Sequence, residues 1–289
     1  MSHPHSSPMI WSRYVAIGDS FTEGMCDPDP HVPGRFVGWA DRLADRLAQE
    51  AGLEHITFSY ANLAVRGRLL DDVVGAQLTT ALAMSPDLIS IVGGGNDILR
   101  PGVDLDAIAD RLESAVVRIR ATGADVLLAT PTDTRDAGLF RALRGRHAIH
   151  TANLFTIAQR HGCYVLNLWG LAALRDWRMW AQDRIHLTGE GHARVAEAAL
   201  VALGHRAQPG WDLPLPPAPA AARREQLRAH VQWLRRDAGP WVQRRLKGES
   251  SGDHLEAKRP VLTVVPGGPC QPSEQDQRPE PRLRPPFAD

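Results

Sequence analysis

Ser20 and His186 are the two side chains of this sequence that together could carry out nucleophilic chemistry. Ser20 lies in Gly18-Asp19-Ser20-Phe21-Thr22-Glu23-Gly24, directly after the apolar stretch 13–18. That stretch predicts a buried strand, and a hydroxyl at its carboxyl end stands where open α/β sheets keep their sites. A serine hydroxyl is a weak nucleophile and needs a base within hydrogen-bond reach. His186, at the end of Asp183-Arg184-Ile185-His186, is the candidate base. Its three-residue spacing from Asp183 would place both side chains on one side of a helical turn. The carboxylate would then hold the imidazole tautomer and stabilise the imidazolium without taking the proton.

Two further segments offer hydrogen-bond donors. The apolar run 89–92 leads into Gly93-Gly94-Gly95-Asn96-Asp97, where Asn96 can direct its amide into the same cleft. Asn62-Leu63-Ala64-Val65-Arg66-Gly67 follows another apolar run, and Gly67 can offer a bare backbone N–H. With the N–H of Ser20 itself these make a three-donor oxyanion hole, which acyl transfer requires. Asp19 reads as a structural carboxylate that accepts backbone N–H groups at a strand end. Asp97 reads as the cap of the segment after it.

The segments 18–24, 62–67, 94–97 and 183–186, in that order, resemble the SGNH hydrolases, also called the GDSL lipase/esterase family. The resemblance spans residues 13 to about 204. Each motif alone arises by chance in many chains; four in order, each after a predicted strand or ahead of a predicted helix, are specific. Phe21 stands where many members carry leucine, a conservative departure. No Gly-x-Ser-x-Gly surrounds Ser20, so the nucleophile-elbow α/β-hydrolases are the wrong comparison. The resemblance implies a serine esterase working by two-step acyl transfer. Ser20, Asp183 and His186 would be catalytic, and Ser20 N–H, Gly67 N–H and the Asn96 amide would bind the oxyanion. It also implies a small-molecule ester substrate and no cofactor. An acyltransferase acting on a sugar or alcohol acceptor is the alternative. A non-catalytic binding module on the same fold is disfavoured by the intact Ser20–Asp183–His186 set. The segments 25–37, 131–135 and 177–180 are expected to border the pocket, and their mixed polarity and bulk favour a small acyl group.

These residues need a scaffold, and hydrophobic periodicity predicts one. Strands are expected at 13–18, 55–61, 86–93, 125–130 and 163–168. Between them, Trp39, Leu43 and Leu47 mark one helix stripe, and Leu105, Ile108, Leu112, Val116 and Ile119 a second. Helices are also expected over 139–160 and 188–203, the latter capped by Thr188. Alternating strands and helices predict an α/β fold: a five-stranded parallel sheet between helices. The resemblance implies the flavodoxin-like three-layer form of it.

Composition narrows the class further. The chain has 289 residues, with Lys+Arg and Asp+Glu both 33. No net basic field draws it to nucleic acid or an anionic membrane. Cys26, Cys163 and Cys270 are scattered and odd in number, suggesting neither a disulfide framework nor a zinc cluster. His147 and His150 share a helical face but lack a third ligand, so no metal site is expected. His192 reads as a packing or capping residue. No basic n-region precedes an apolar h-region at the start, and no apolar run reaches the roughly 20 residues that span a bilayer. A cytoplasmic protein without stable membrane insertion is the expectation.

The chain divides into a flexible 1–12, a hydrolase domain 13–204, a linker and amphipathic helical extension 205–247, and a tail 248–289. Fourteen of the 22 prolines lie beyond Gly204. The paired arginines of the extension read as a solvated helix face, and no protein partner is named for it. The Pro-rich tail is expected to be disordered, save for Pro260-Val261-Leu262-Thr263-Val264-Val265, a β-prone run able to pair with an edge. Cutting after Lys247 is therefore expected to leave activity and melting temperature nearly unchanged.

Overall fold

The structure is a computed structural model that describes residues 9–216, Trp233, Arg236 and 252–267. Its strands are β1 (Arg13–Ile17), β2 (Ser59–Asn62), β3 (Leu88–Ile91), β4 (Asp125–Ala129), β5 (Tyr164–Leu166) and β6 (Arg259–Val264). They form one sheet in the order β5-β4-β3-β1-β2-β6. The first five are parallel; four lie within the expected runs, trimmed at their ends, and β2 is displaced from the expected 55–61 to 59–62. Parallel strands are covered on both faces and so read as unbroken apolar runs. In β3 all four residues are buried, and its one polar side chain, Ser90, is satisfied by the Tyr14 hydroxyl at 2.8 Å.

The helices are α1 (Ser20–Glu23), α2 (Trp39–Leu53), α3 (Leu70–Asp72), α4 (Leu78–Ala83), α5 (Gly95–Ile98), α6 (Leu105–Arg120), α7 (Arg144–His161) and α8 (Gly189–Ala202). On one face of the sheet Tyr14 and Leu127 pack with Trp39 and Leu43 of α2 and Val195 and Leu200 of α8. On the other, Val15 and Ile89 pack with Leu78, Leu112, Val116 and Leu154 of α4, α6 and α7. The alternation of Tyr14 and Val15 between these two cores follows from the period of two along a strand. The expected N-cap holds: Thr188 Oγ1 accepts the Gly191 N–H at 3.3 Å. No helix of the described residues is long and apolar enough to cross a membrane.

Five sequence expectations are corrected. The sheet has six strands, because β6 adds antiparallel to the outer edge of β2. Its ladder is irregular between the Tyr60↔Thr263 and Asn62↔Arg259 pairs, next to Pro260, which has no N–H to donate. Residues 252–267 of the expected disordered tail are thus an ordered part of the domain. At the other end, residues 9–12 belong to the fold: the Trp11 indole is buried, donates to Asp125 Oδ2 at 3.0 Å and meets Tyr164 edge-on at 5.8 Å. The expected helix over 139–160 is a 3₁₀ stretch, Gly138–Leu143, followed by α7. The linker expectation fails for residues 205–216, where Trp211 and Leu215 pack on the core and Pro216 O accepts from Arg178 at 2.8 Å. The amphipathic extension expected over 223–247 lies outside the described residues except at Trp233 and Arg236.

Candidate active site

Ser20 is the first residue of α1, one turn beyond the carboxyl end of β1. The link works because Gly18 lies against the Val92 carbonyl and the Thr22 hydroxyl, where any side chain would collide. Asp19 caps the helix, with Oδ1 accepting the Phe21 N–H at 3.0 Å. His186 Nε2 lies 3.0 Å from Ser20 Oγ, and its Nδ1 lies 2.6 Å from Asp183 Oδ2. The hydroxyl, imidazole and carboxylate thus form one continuous hydrogen-bonded chain across 166 residues of sequence.

The Asp183–His186 segment is a turn rather than helix, which corrects the sequence expectation. Asp183 Oδ1 accepts the N–H groups of Ile185 at 2.9 Å and His186 at 3.0 Å, while Arg184 sits in the left-handed region at φ 58°. The same carboxylate therefore builds the turn with one oxygen and orients the imidazole with the other. Burial alone would raise the Asp183 pKa. The hydrogen bond and charge of His186, with the two backbone donors, outweigh it and hold the carboxyl at about 2.

Asn96 lies in α5, and its Nδ2 donates to Asp19 Oδ2 at 3.1 Å and to Arg68 O at 3.0 Å. Two acceptors on the amide nitrogen fix which end of the side chain is the donor. Gly67 occupies the turn Val65–Arg68 at φ 76°, a conformation that favours glycine. The N–H groups of Ser20 and Gly67 have no acceptor among the described residues. Asp97 caps α3 rather than the segment after it: its Oδ2 accepts the Leu70 N–H at 2.9 Å.

A cavity of about 210 Å³ opens beside these groups, lined by their chain neighbours Asp19, Phe21, Gly95 and Ile185. Its further walls are mainly apolar, including Leu99, Phe140, Leu143, Trp177 and Trp180. Of the three segments expected at the pocket, 131–135 and 177–180 contribute to it. The 25–37 loop does not line it and reaches the site instead through Cys26, whose thiol lies 3.6 Å from Asp183 Oδ2. Trp233 also touches the turn, donating from Nε1 to Asp183 O at 2.7 Å. Neither contact had a sequence signal, because each joins residues far apart in the chain with no motif of their own. His147 lines the cavity, and burial pulls its pKa down to about 4, so the ring is neutral at neutral pH. His150 instead contacts the Gly93 carbonyl at 3.2 Å. His192 is a packing residue as expected, buried against Phe21 and accepting the Trp39 N–H at 3.3 Å. Among the described residues Cys26, Asp183 and His186 are the three metal-ligand types that cluster, within 4.8 Å. Two of them are already closed on each other by the 2.6 Å hydrogen bond.

The profile of the GDSL-like lipase/acylhydrolase family matches residues 16–194. The chain belongs to that family. The match runs from β1 to within α8 and includes every residue of the hydrogen-bonded chain. No curated protein matches. Among solved structures, this family member is similar to LAE5, an α/β hydrolase enzyme from the metagenome of Lake Arreo, Spain, at 23% identity and TM-score 0.54, covering 67% of this chain and 95% of that one. It is similar to Axe2, an acetylxylan esterase from Geobacillus stearothermophilus, at 20% identity and TM-score 0.55, covering 68% and 97%. TesA matches at 22% identity and TM-score 0.54, covering 66% and 98%. At these identities the likeness concerns the fold. The GDSL fold and a hydrolase of esterase or lipase-like type follow from the family.

Proposed function

We propose that this GDSL-family hydrolase cleaves carboxylic esters of small to medium apolar acids through an acyl-Ser20 intermediate. The observation that carries the reading is the chain Ser20 Oγ–His186–Asp183, with contacts of 3.0 and 2.6 Å. His186 Nε2 takes the Ser20 proton as Oγ attacks the ester carbonyl carbon. The resulting oxyanion is held by the N–H groups of Ser20 and Gly67 and by Asn96 Nδ2, which exchanges one of its present acceptors for the substrate oxygen. The imidazolium then protonates the departing alcohol. Water, activated by the same imidazole, attacks the acyl-enzyme and releases the acid. Serine-to-alanine and histidine-to-alanine variants of Axe2, which shares this fold, are both described as catalytic mutants, which supports a serine and a histidine in these roles.

The cavity gives the substrate its chemistry. Its walls are mainly apolar, so it suits an apolar acyl chain. An acyl chain that fits the space buries its methylenes, and a longer one leaves its end in solvent. Each buried methylene contributes about 0.8 kcal/mol, or about fourfold in kcat/KM. A panel of p-nitrophenyl esters should show kcat/KM rising from acetate with acyl length until the apolar cavity is filled, with stoichiometric labelling by a fluorophosphonate. An unlabelled protein that turns over no ester would refute the reading. A kcat/KM that does not rise with acyl length would refute the cavity as the acyl site.

Asn96→Ala should lower kcat by about 10²–10³-fold with KM little changed, because an oxyanion donor acts chiefly in the transition state. A change confined to KM would move Asn96 into ground-state binding. The pH profile follows from the carboxyl held at about 2. Across any working pH Asp183 is ionised, so protonation of this carboxylate should leave no limb in the kcat/KM profile above about pH 4. The depressed carboxyl also stabilises the fold. Its contribution is complete above the unfolded value of about 4 and is lost as pH falls toward 2.

A further inference from the structure

Outside the family-matched region, residues 252–267 contact the residues next to the candidate oxyanion donors. Two contacts carry the argument. The first is Lys258, whose ammonium is buried and donates to Glu23 O at 2.6 Å, to Phe36 O at 3.0 Å and to the Asp41 carboxylate. Glu23 is the last residue of α1, the single turn that begins at Ser20. Its side chain in turn accepts the Arg66 N–H at 2.7 Å and the Arg66 guanidinium. One ammonium thus fixes the helix that carries the nucleophile and, through Glu23, the residue before Gly67. Asp41 locks this arrangement to α2, because Asp41 Oδ2 also accepts the Gly38 N–H at 2.9 Å.

The second contact is Gly252. Its Cα packs so tightly on the Arg66 carbonyl that a Cβ there would overlap the oxygen, and Arg68 Nη2 reaches the Gly252 carbonyl at 3.5 Å. The Arg66 carbonyl and the Gly67 N–H belong to one planar peptide unit, in which C=O and N–H point in opposite directions. Whatever fixes the carbonyl aims the N–H. Gly252 presses on one end of that unit, and the other end is the donor placed in the oxyanion hole.

We infer that the segment 252–267 is an intramolecular strap that aims the Ser20 and Gly67 N–H groups, with Lys258 and Gly252 as positioning residues. The strap is held in place independently of these two contacts by the β6 ladder, by Val265 N–H to Phe58 O at 3.0 Å, and by close backbone approach of Gly267 to Gly52. A misaimed donor weakens binding of the oxyanion and leaves binding of the neutral ester intact, so the effect belongs in kcat.

The inference rests on the esterase reading, and the test separates the two. In the full-length protein, Lys258→Met keeps the apolar stem and removes the ammonium. Gly252→Ala adds one methyl against the Arg66 carbonyl and leaves the charge network alone. Each variant should lower kcat about 10–100-fold with KM within about twofold, the range that small misplacements of catalytic groups cause. Affinity for a phenylboronic acid, whose tetrahedral adduct uses the same donors, should fall in parallel. The Gly67 amide resonance should shift in Gly252→Ala, a readout that needs no turnover. Wild-type kcat and boronate affinity in a folded Gly252→Ala protein, with the Gly67 resonance unmoved, would overturn the strap's role even if Lys258→Met fails to fold. Wild-type protein that is neither labelled nor active would overturn the esterase reading, and an unmoved resonance would then still decide the strap separately.

Discussion

Ser20→Ala should leave a folded protein that hydrolyses ester at least about 10⁴-fold more slowly and takes up no fluorophosphonate. The expectation rests on the geometry around the hydroxyl. Ser20 Oγ is the group 3.0 Å from His186 Nε2, and the imidazole is already oriented through Nδ1 by Asp183. The change removes one oxygen and keeps the N–H and the helix start, since the capping bond of α1 comes from Asp19. Stability should therefore stay within about 0.5–1 kcal/mol of the wild type. Measurement of kcat, covalent labelling by mass spectrometry and thermal melting together check it. Turnover persisting within tenfold of wild type would dismiss Ser20 as the nucleophile, whatever the hydrogen-bond pattern.

Truncation after Lys247 should strongly destabilise the protein, the reverse of what sequence composition suggests. Three losses add up. Asp41 keeps its place against the backbone but loses Lys258, and breaking one side of a buried ion pair costs about 3–5 kcal/mol. The outer edge of β2 loses its ladder to β6 and exposes unpaired backbone groups, an invitation to aggregation. Phe58 and Tyr60, buried beneath the strap, gain access to water. Against a typical total of about 5–15 kcal/mol, such losses put the fold at risk. Urea denaturation and soluble yield measure the outcome. A truncated protein matching the full-length midpoint would show that β6 and Lys258 contribute little.

Much of the site was legible in the sequence because its motifs are local. Gly-Asp-Ser at a strand end, Asn96 after a glycine run, and Asp183 three residues before His186 each carry their meaning within a few positions. Four of the five parallel strands were equally legible, since burial on both faces leaves a continuous apolar run; β2, Ser59–Asn62, carries polar residues and lies past the start of its expected range. The caps at Thr188 and Asp19 follow from side chains acting on backbone groups two or three residues away.

The tertiary structure decided what depends on distant residues meeting. Composition marks 248–289 as unable to fold alone, and that argument holds only for a segment with nothing to bind. A short β-prone run gains order from a sheet edge that already exists, and Lys258 gains partners from α1 and α2 that no local pattern announces. The same holds for Cys26 and Trp233 at Asp183, for the turn that replaces the expected helix at 183–186, and for the cavity. Local spacing determined which residues could do the chemistry and which runs would be strands. Long-range packing decided the aim of the donors and the sixth strand, because both depend on contacts between residues that the chain keeps far apart.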